Sequence, residues 1–304
     1  MKIIYIKETQ ETCDIVKNII LKIKSFFNIV DLKHEENKTI YYLPIIHNKS
    51  VSKNKIKKIS KKVIRNLERD SANNVVLSTY LSTLKELKNN LYSENINILD
   101  GRYLFKCLTK EAIEYILKIK NEDIRKTEIS ILVNNLNEFN QNLIIDLAKE
   151  VRTINIITNH IGKWKKIEEK LYNEFGILLN ISNNKKSSLI HSKIIFNLDF
   201  PSELINQYKI YDSAIIINTL GKIQIKSKKF NGTNINYFEI NMPKKYKMKG
   251  FRNEIVYESI LYKKGLSEAK SIILKDKIKI KKFIGNNGYI KENEFIAKHL
   301  TKFG

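Results

Sequence analysis

The chain has 304 residues, 42% of them hydrophobic and 29% charged, with three prolines and ten glycines. That length accommodates two ordinary domains, and that composition excludes a disordered chain and long flexible linkers. The net charge is +23, yet only six of the 55 basic residues are arginines, so the charge implies weak, salt-sensitive attraction to nucleic acid and no reading of base sequence.

Cys13 and Cys107 are the only cysteines, and two so far apart make neither a metal pattern nor a disulfide framework. The five histidines show no metal-ligating spacing, so no metal site is expected. The amino-terminal run MKIIYIKETQ is too short for a signal peptide and ends in charge. No apolar stretch approaches the roughly 18 residues of a membrane span. The expectation is a cytoplasmic protein with no membrane segment; its oligomeric state is left open.

In chain order, Met1–Ile6 reads as a strand and Glu8–Phe27 as a helix, with Val16, Ile19, Ile20, Ile23, Phe26 and Phe27 at helical spacing. Thr39–Leu43 is a strand ended by Pro44. Val51–Leu67 is a helix with an apolar face and an opposite lysine run from Lys53 to Lys62. Asn74–Ser78 and Ile96–Leu99 are strands around a helix over Tyr80–Leu91, and Arg102–Ile119 is a helix after the Asp100-Gly101 turn.

The pattern is most regular over residues 128–218. Strands are expected at Glu128–Val133, Thr153–Thr158, Ile177–Ile181, Lys193–Leu198 and Ala214–Asn218. Helices are expected at Gln141–Val151 and Lys163–Phe175, the latter closed by Gly176, with short ones near Lys185–Ile190 and after Pro201. Beyond this lie short strands at Lys222–Lys226 and Asn234–Ile240, helices at Phe251–Tyr262 and Leu266–Leu274, and a lysine-rich mixed tail. Ile284–Ile290 contains a GXXG sequence that reads as a turn. Such alternation of period 2 and period 3.6 implies an α/β fold of two domains, the second a Rossmann-like doubly wound parallel sheet, with C-terminal helices. The expected division is an α/β domain over residues 1–120, a Rossmann-like domain over 127–249 and a helical or mixed segment over 250–304.

Two segments carry a family resemblance. The second strand of the regular region ends in Thr158-Asn159-His160, followed by Lys163 and a helix running to Glu174-Phe175-Gly176. Further on stands Ile194-Ile195-Phe196-Asn197-Leu198-Asp199-Phe200-Pro201. Residues 128–218 thereby resemble the NADP-binding domain of the shikimate dehydrogenase and glutamyl-tRNA reductase superfamily. The resemblance implies a dinucleotide site, with NADP as the cofactor and NADP-linked redox chemistry if the protein is an enzyme. The sequence departs from that family at the first turn, Asn134 to Asn140, which has no glycine and carries Glu138 where a diphosphate would sit. His160 stands where the family has an arginine for a 2′-phosphate. No counterpart of the family's catalytic lysine and aspartate stands in the first half, so no catalytic residue is assigned.

Ligands of open α/β sheets bind at the carboxyl edge. The polar residues at that edge make the candidate cofactor-binding set Asn134, Asn135, Asn159, His160, Asn183, Lys185 and Asp199. The segment Ser182–Lys186, read as a helix start, is the most favourable for phosphate. Arg102 is the candidate substrate-binding cation, in a cleft between the domains. Asparagine, serine and aspartate also cap helices and build turns. The expected function is a divergent protein binding a small nucleotide- or dinucleotide-type ligand with a degenerate cofactor loop. The alternatives are a basic nucleic-acid-associated protein and an interaction protein with an empty Rossmann shell.

Overall fold

The computed structural model describes residues 2–10, 13–35, 38–47 and 49–299. Met1 of the first expected strand and Glu11–Thr12 within the first expected helix lie outside the described residues, as do residues 300–304 of the tail. Glu8 and Thr9, read into that helix, end the first strand instead, and the helix begins at Ile15. In chain order the first part holds β1 (Ile3–Thr9), α1 (Ile15–Phe27), β2 (Asp31–Glu35), β3 (Lys38–Ile46), α2 (Lys53–Arg69), β4 (Asn74–Leu77), α3 (Lys85–Tyr92) and β5 (Asn97–Ile98). Next come α4 (Arg102–Cys107), α5 (Thr109–Lys120), β6 (Glu128–Leu132), α6 (Glu138–Ala148), β7 (Thr153–Ile157), α7 (Ile161–Phe175), β8 (Leu179–Ser182), β9 (Ile194–Asn197), α8 (Ser202–Ile205), β10 (Ile215–Asn218), β11 (Thr233–Ile235) and β12 (Tyr237–Asn241). The last part holds α9 (Asn253–Leu261), α10 (Leu266–Lys275), β13 (Lys279–Gly285), β14 (Gly288–Tyr289) and α11 (Glu292–His299).

The chain packs as two units: Met1–Gly101 with Pro243–Tyr262, and Arg102–Met242 with Lys263–Gly304. Residues 102–120, read from sequence with the first domain, belong to the second unit, and α9 belongs to the first. The helix expected over 102–119 is broken at Leu108 into α4 and α5.

The first unit is a five-stranded sheet in the order β2-β3-β1-β4-β5. All neighbours run parallel except β2, which pairs antiparallel with β3 as an edge. The sequence reading missed β2 because DLKHE contains one apolar residue and shows no alternation. One sheet face packs Ile4, Ile6, Tyr41, Leu43, Val75 and Leu77 against Ile56, Ile59 and Val63 of α2 and Leu87 and Leu91 of α3. The other packs Tyr5, Ile40, Val76 and Leu99 against Phe251, Ile255 and Val256. Pro44 does not end β3 as expected. It sits where the β1–β3 register shifts, a place in a ladder where a missing N–H is tolerated.

The second unit is built on a six-stranded sheet, β11-β10-β9-β6-β7-β8, in which every neighbouring pair is parallel. Renumbered within the unit, this is the order 6-5-4-1-2-3 of the Rossmann fold. Strands β9 and β10 (IIFN and IIIN) are buried throughout, as β-branched strands with both faces covered must be. A smaller antiparallel sheet, β12-β13-β14, follows, so the carboxyl-terminal segment contains a hairpin as well as helices. Gly285 to Gly288 is the turn of that hairpin. Lys222–Lys226 forms no strand. Phe105 of α4 stacks on Phe238 of β12 at 4.5 Å, and Trp164 of α7 is fully buried. Among the described residues no helix is long and apolar enough to cross a membrane, and no group of three metal-ligating side chains converges.

α11 docks on the second unit through buried Phe295 and a 2.7 Å hydrogen bond between His299 Nε2 and Thr233 Oγ1. Burial, with Lys298 and Lys120 nearby, pushes the His299 imidazole down to about 4 from its usual 6.5. The unfolded chain therefore takes up this proton first as pH falls, and the native state resists it. Its contribution to stability is complete above pH 6.5 and is lost between there and about 4. Thermal denaturation across that window is expected to show a midpoint falling with pH, and His299→Gln is expected to flatten the fall.

Candidate functional site

The switch point of the second sheet lies between β6 and β9, where the crossovers diverge. The turn leaving β6 is the one whose amides cradle a diphosphate in dinucleotide-binding Rossmann domains. Here those amides are already occupied. Asp199, just past β9, accepts from Asn134 N–H at 2.7 Å through Oδ1 and from Asn135 N–H at 2.6 Å through Oδ2. A carboxylate of the chain thus sits where an anionic ligand would.

Several further polar groups of this edge are bound to one another. Asn134 Oδ1 accepts from Asn159 N–H at 2.8 Å and from Thr158 Oγ1 at 3.3 Å, tying the β6 turn to the end of β7. Asn137 caps α6 by accepting from Asn140 N–H at 2.8 Å, and Asn140 Nδ2 donates to Asn135 O. Asn197 and Asn218, buried at the ends of β9 and β10, face each other across the ladder. Asn197 Nδ2 donates to Asn218 Oδ1 at 2.7 Å and to Phe200 O at 2.8 Å, while its Oδ1 accepts from Phe200 N–H. The side-chain amides act as peptide groups that prolong the sheet by one rung.

One open cavity, of about 700 Å³, borders this edge. It is lined by Leu136 of the β6 turn, Asn159 and His160 after β7, Ile161, Gly162, Lys163, Lys166 and Ile167 of α7, and Asn183 after β8. His160 stands at the N-cap of α7, where no side chain caps the helix. The amino end of a 15-residue helix carries partial positive charge, and Lys163 and Lys166, three residues apart, stand on the same face of its first turns. The cavity therefore joins an apolar wall to a cationic rim.

Of the sequence candidates, the structure brings Asn159, His160 and Asn183 into the cavity, and Asn134, Asn135 and Asp199 into the adjoining hydrogen-bond cluster. It does not bring in Lys185, whose Nζ donates to Gln207 Oε1 at 2.6 Å. The helix expected from Lys185 is instead a series of turns. Asn184 Oδ1 takes the amides of Lys186 and Ser187 at 2.9 and 3.3 Å. Asparagine and serine compete for backbone groups in this way when no apolar face rewards a helix. Arg102 opens α4 with its guanidinium against Gly221, which has φ +99° and leaves room for it. It lies beyond β10, does not line the cavity, and belongs to the second unit itself.

Sequence reasoning missed Leu136, Ile161, Gly162, Lys163, Lys166 and Ile167 as lining residues. The available signal was the i, i+3 pair Lys163 and Lys166 directly after a strand end. It also missed a buried carboxylate in the first unit. Glu8, at the carboxyl end of β1 and 2% exposed, accepts from Ser78 Oγ and pairs with His47 Nδ1 at 3.0 Å, and His47 packs on Tyr80. Its partners lie 39 and 70 residues away.

No protein-family model matches the chain, and no curated protein matches it in sequence. Among solved structures it is similar to L-tryptophan dehydrogenase from Nostoc punctiforme, at 9% identity over 91% of this chain and 88% of that one, with a TM-score of 0.33. It is similar to D-mandelate dehydrogenase of Rhodotorula graminis at 7% identity over 74% and 76%, TM-score 0.34. It is similar to aspartate transcarbamoylase from Trypanosoma cruzi at 9% identity over 72% and 70%, TM-score 0.26. All three likenesses are distant.

The Asp199 contacts join the turn after β6 to the segment after β9. Removing the carboxylate in Asp199→Ala is expected to cost about 2 kcal/mol, since hydrogen bonds to charged groups contribute roughly 1.5–3 kcal/mol and half-exposed amides regain water. That corresponds to a midpoint lower by roughly 4–8 °C in thermal denaturation. Asp199→Asn keeps one acceptor and is expected to lose about half as much.

Proposed function

We propose that the second unit binds a nucleoside monophosphate-type ligand, not a whole dinucleotide, in the cavity at the start of α7. The observation that carries this reading is the pairing of two neighbouring features. Asp199 fills the amides that would hold a diphosphate. Beside it lies a cavity with an uncapped helix end and two lysines. A second anion at the β6 turn would meet the Asp199 carboxylate and Glu138, at a Coulomb cost. A phosphate at α7 meets only favourable charge. Leu136, Ile161 and Ile167 offer apolar surface for a base, and Asn159, His160 and Asn183 offer donors and acceptors for a sugar. In Rossmann domains this side of the switch point takes the adenosine half of the cofactor, including the 2′-phosphate of NADP. The cavity lining has one imidazole and neither carboxylate nor hydroxyl to pair with it, so the reading is binding without catalysis.

Thermal denaturation with adenosine 2′-phosphate, AMP and NADPH tests it. A ligand at about 100 times its dissociation constant adds roughly 2.7 kcal/mol. A nucleoside monophosphate is expected to raise the midpoint, and NADPH is expected to bind no tighter than adenosine 2′-phosphate. Lys163→Ala and Lys166→Ala should each weaken the monophosphate about tenfold, the equivalent of one charge-assisted hydrogen bond. Asp199→Asn should improve NADPH alone. Absence of any shift with the monophosphates, or NADPH binding far tighter than they do to the unaltered protein, would sink the proposal.

A further inference from the structure

Helix α1 is inverted. Asp14 caps its start, accepting from Val16 N–H and Lys17 N–H at 3.0 and 3.2 Å, and Asn28 closes it in the left-handed conformation. The stripe that faces the protein is Asn18, Leu21, Lys24, Ser25 and Asn28, partly covered and largely polar. It is held by polar contacts. Ser25 Oγ donates to Pro44 O at 3.1 Å and accepts from Lys55 Nζ at 2.5 Å, Lys62 Nζ donates to Phe27 O at 2.7 Å, and Lys24 pairs with Asp31 at 2.7 Å. The opposite stripe points into solvent and carries Ile15, Val16, Ile19, Ile20, Ile23, Phe26 and Phe27, with Ile15 76% and Phe26 80% exposed. Ile29 and Leu32, on the way into and within the edge strand β2, continue the same exposed apolar surface.

A 13-residue helix draws its stability in water from burying an apolar face, and α1 buries none. With whole apolar and aromatic side chains of roughly 150–250 Å², the exposed fractions leave on the order of 900 Å² of side-chain surface on this one patch. Monomeric proteins rarely expose more than about 300–600 Å² contiguously. A stable interface buries about 800 Å² per partner.

Area and symmetry indicate what covers it. The patch matches the roughly 800 Å² that each partner of a stable interface buries, and a helix face beside an edge strand is a surface that two copies can present to each other identically. Three lysines beside it are engaged within the chain: Lys24 pairs with Asp31, and Lys55 and Lys62 of α2 donate to Ser25 Oγ and Phe27 O. We propose that α1 and the β2 edge form a twofold interface between two copies, with α1 packed on α1 and isologous contacts on both sides.

The test is sedimentation equilibrium of the full chain. The expected mass is twice the 35.7 kDa of one chain. The double variant Ile23→Glu, Phe26→Glu should be monomeric over the same concentration range, with a dissociation constant raised at least about 100-fold, as loss of two central aromatic or aliphatic anchors implies. Its far-ultraviolet circular dichroism should be unchanged, because neither side chain is buried or belongs to a core cluster. The conservative variant Ile23→Leu, Phe26→Leu should remain dimeric. Hydrogen exchange over residues 15–32 should slow as concentration rises. An unaltered protein that stays monomeric at tens of micromolar overturns the proposal. So does a dimer that the glutamate variant leaves intact. Monomeric protein that instead co-sediments through this face with vesicles of equal parts phosphatidylglycerol and phosphatidylcholine would assign the patch to lipid and overturn it too.

Discussion

The carboxyl edge of the second sheet is organised around one carboxylate. Asp199 places its two oxygens on two consecutive amides, Asn134 and Asn135, and so joins the ends of the two strands between which the topology reverses. Charge-assisted hydrogen bonds to backbone amides are among the stronger polar contacts a protein makes. Fixing the turn after β6 in this way positions Asn134 to bind the end of β7, which in turn sets the start of α7. The cavity at that helix inherits its shape from the same contact. A glycine-rich turn leaves its amides for a ligand; this turn, without glycine, spends them within the chain.

Much of the fold was legible in the sequence because the second unit obeys simple periodicities. Runs such as IIFN and IIIN, buried throughout, and EISIL and TINII, mostly buried, read as strands without ambiguity. Gly176 marked the end of α7, with φ +67°. What could not be read were features decided by distant partners. The β2 strand exists because it pairs with β3, not because DLKHE favours it. Lys185 looked available until Gln207, 22 residues on, bound it. Glu8, His47 and Ser78 carry no local pattern linking them. Asn159, His160 and Asn183 could be placed at a common edge because strand ends were readable, but which of them bordered open space depended on how α7 left the sheet.

α1 marks a different boundary of sequence reading. Its apolar spacing identified a helix, and the helix is there. Periodicity identifies a face without saying what the face meets, and here none of its side chains is buried among the described residues. Amphipathic pattern and burial normally coincide; in α1 they part.

The first unit is not continuous in sequence. Its sheet is complete by β5, but the face bearing Tyr5, Ile40, Val76 and Leu99 is covered by Phe251, Ile255 and Val256, and Tyr5 is bonded to Ser259 at 2.6 Å. During synthesis, at roughly 5–20 residues per second, about 150 further residues must be made after β5 before α9 begins. For several seconds at least, the first unit is a sheet with one greasy side bare, while the second unit is still being assembled around its own strands. The amino-terminal third therefore cannot mature first and wait; its completion is deferred to the passage of a helix encoded near the end. In the cell such a chain depends on whatever shields that face in the interval, and its yield is set by timing as much as by final stability.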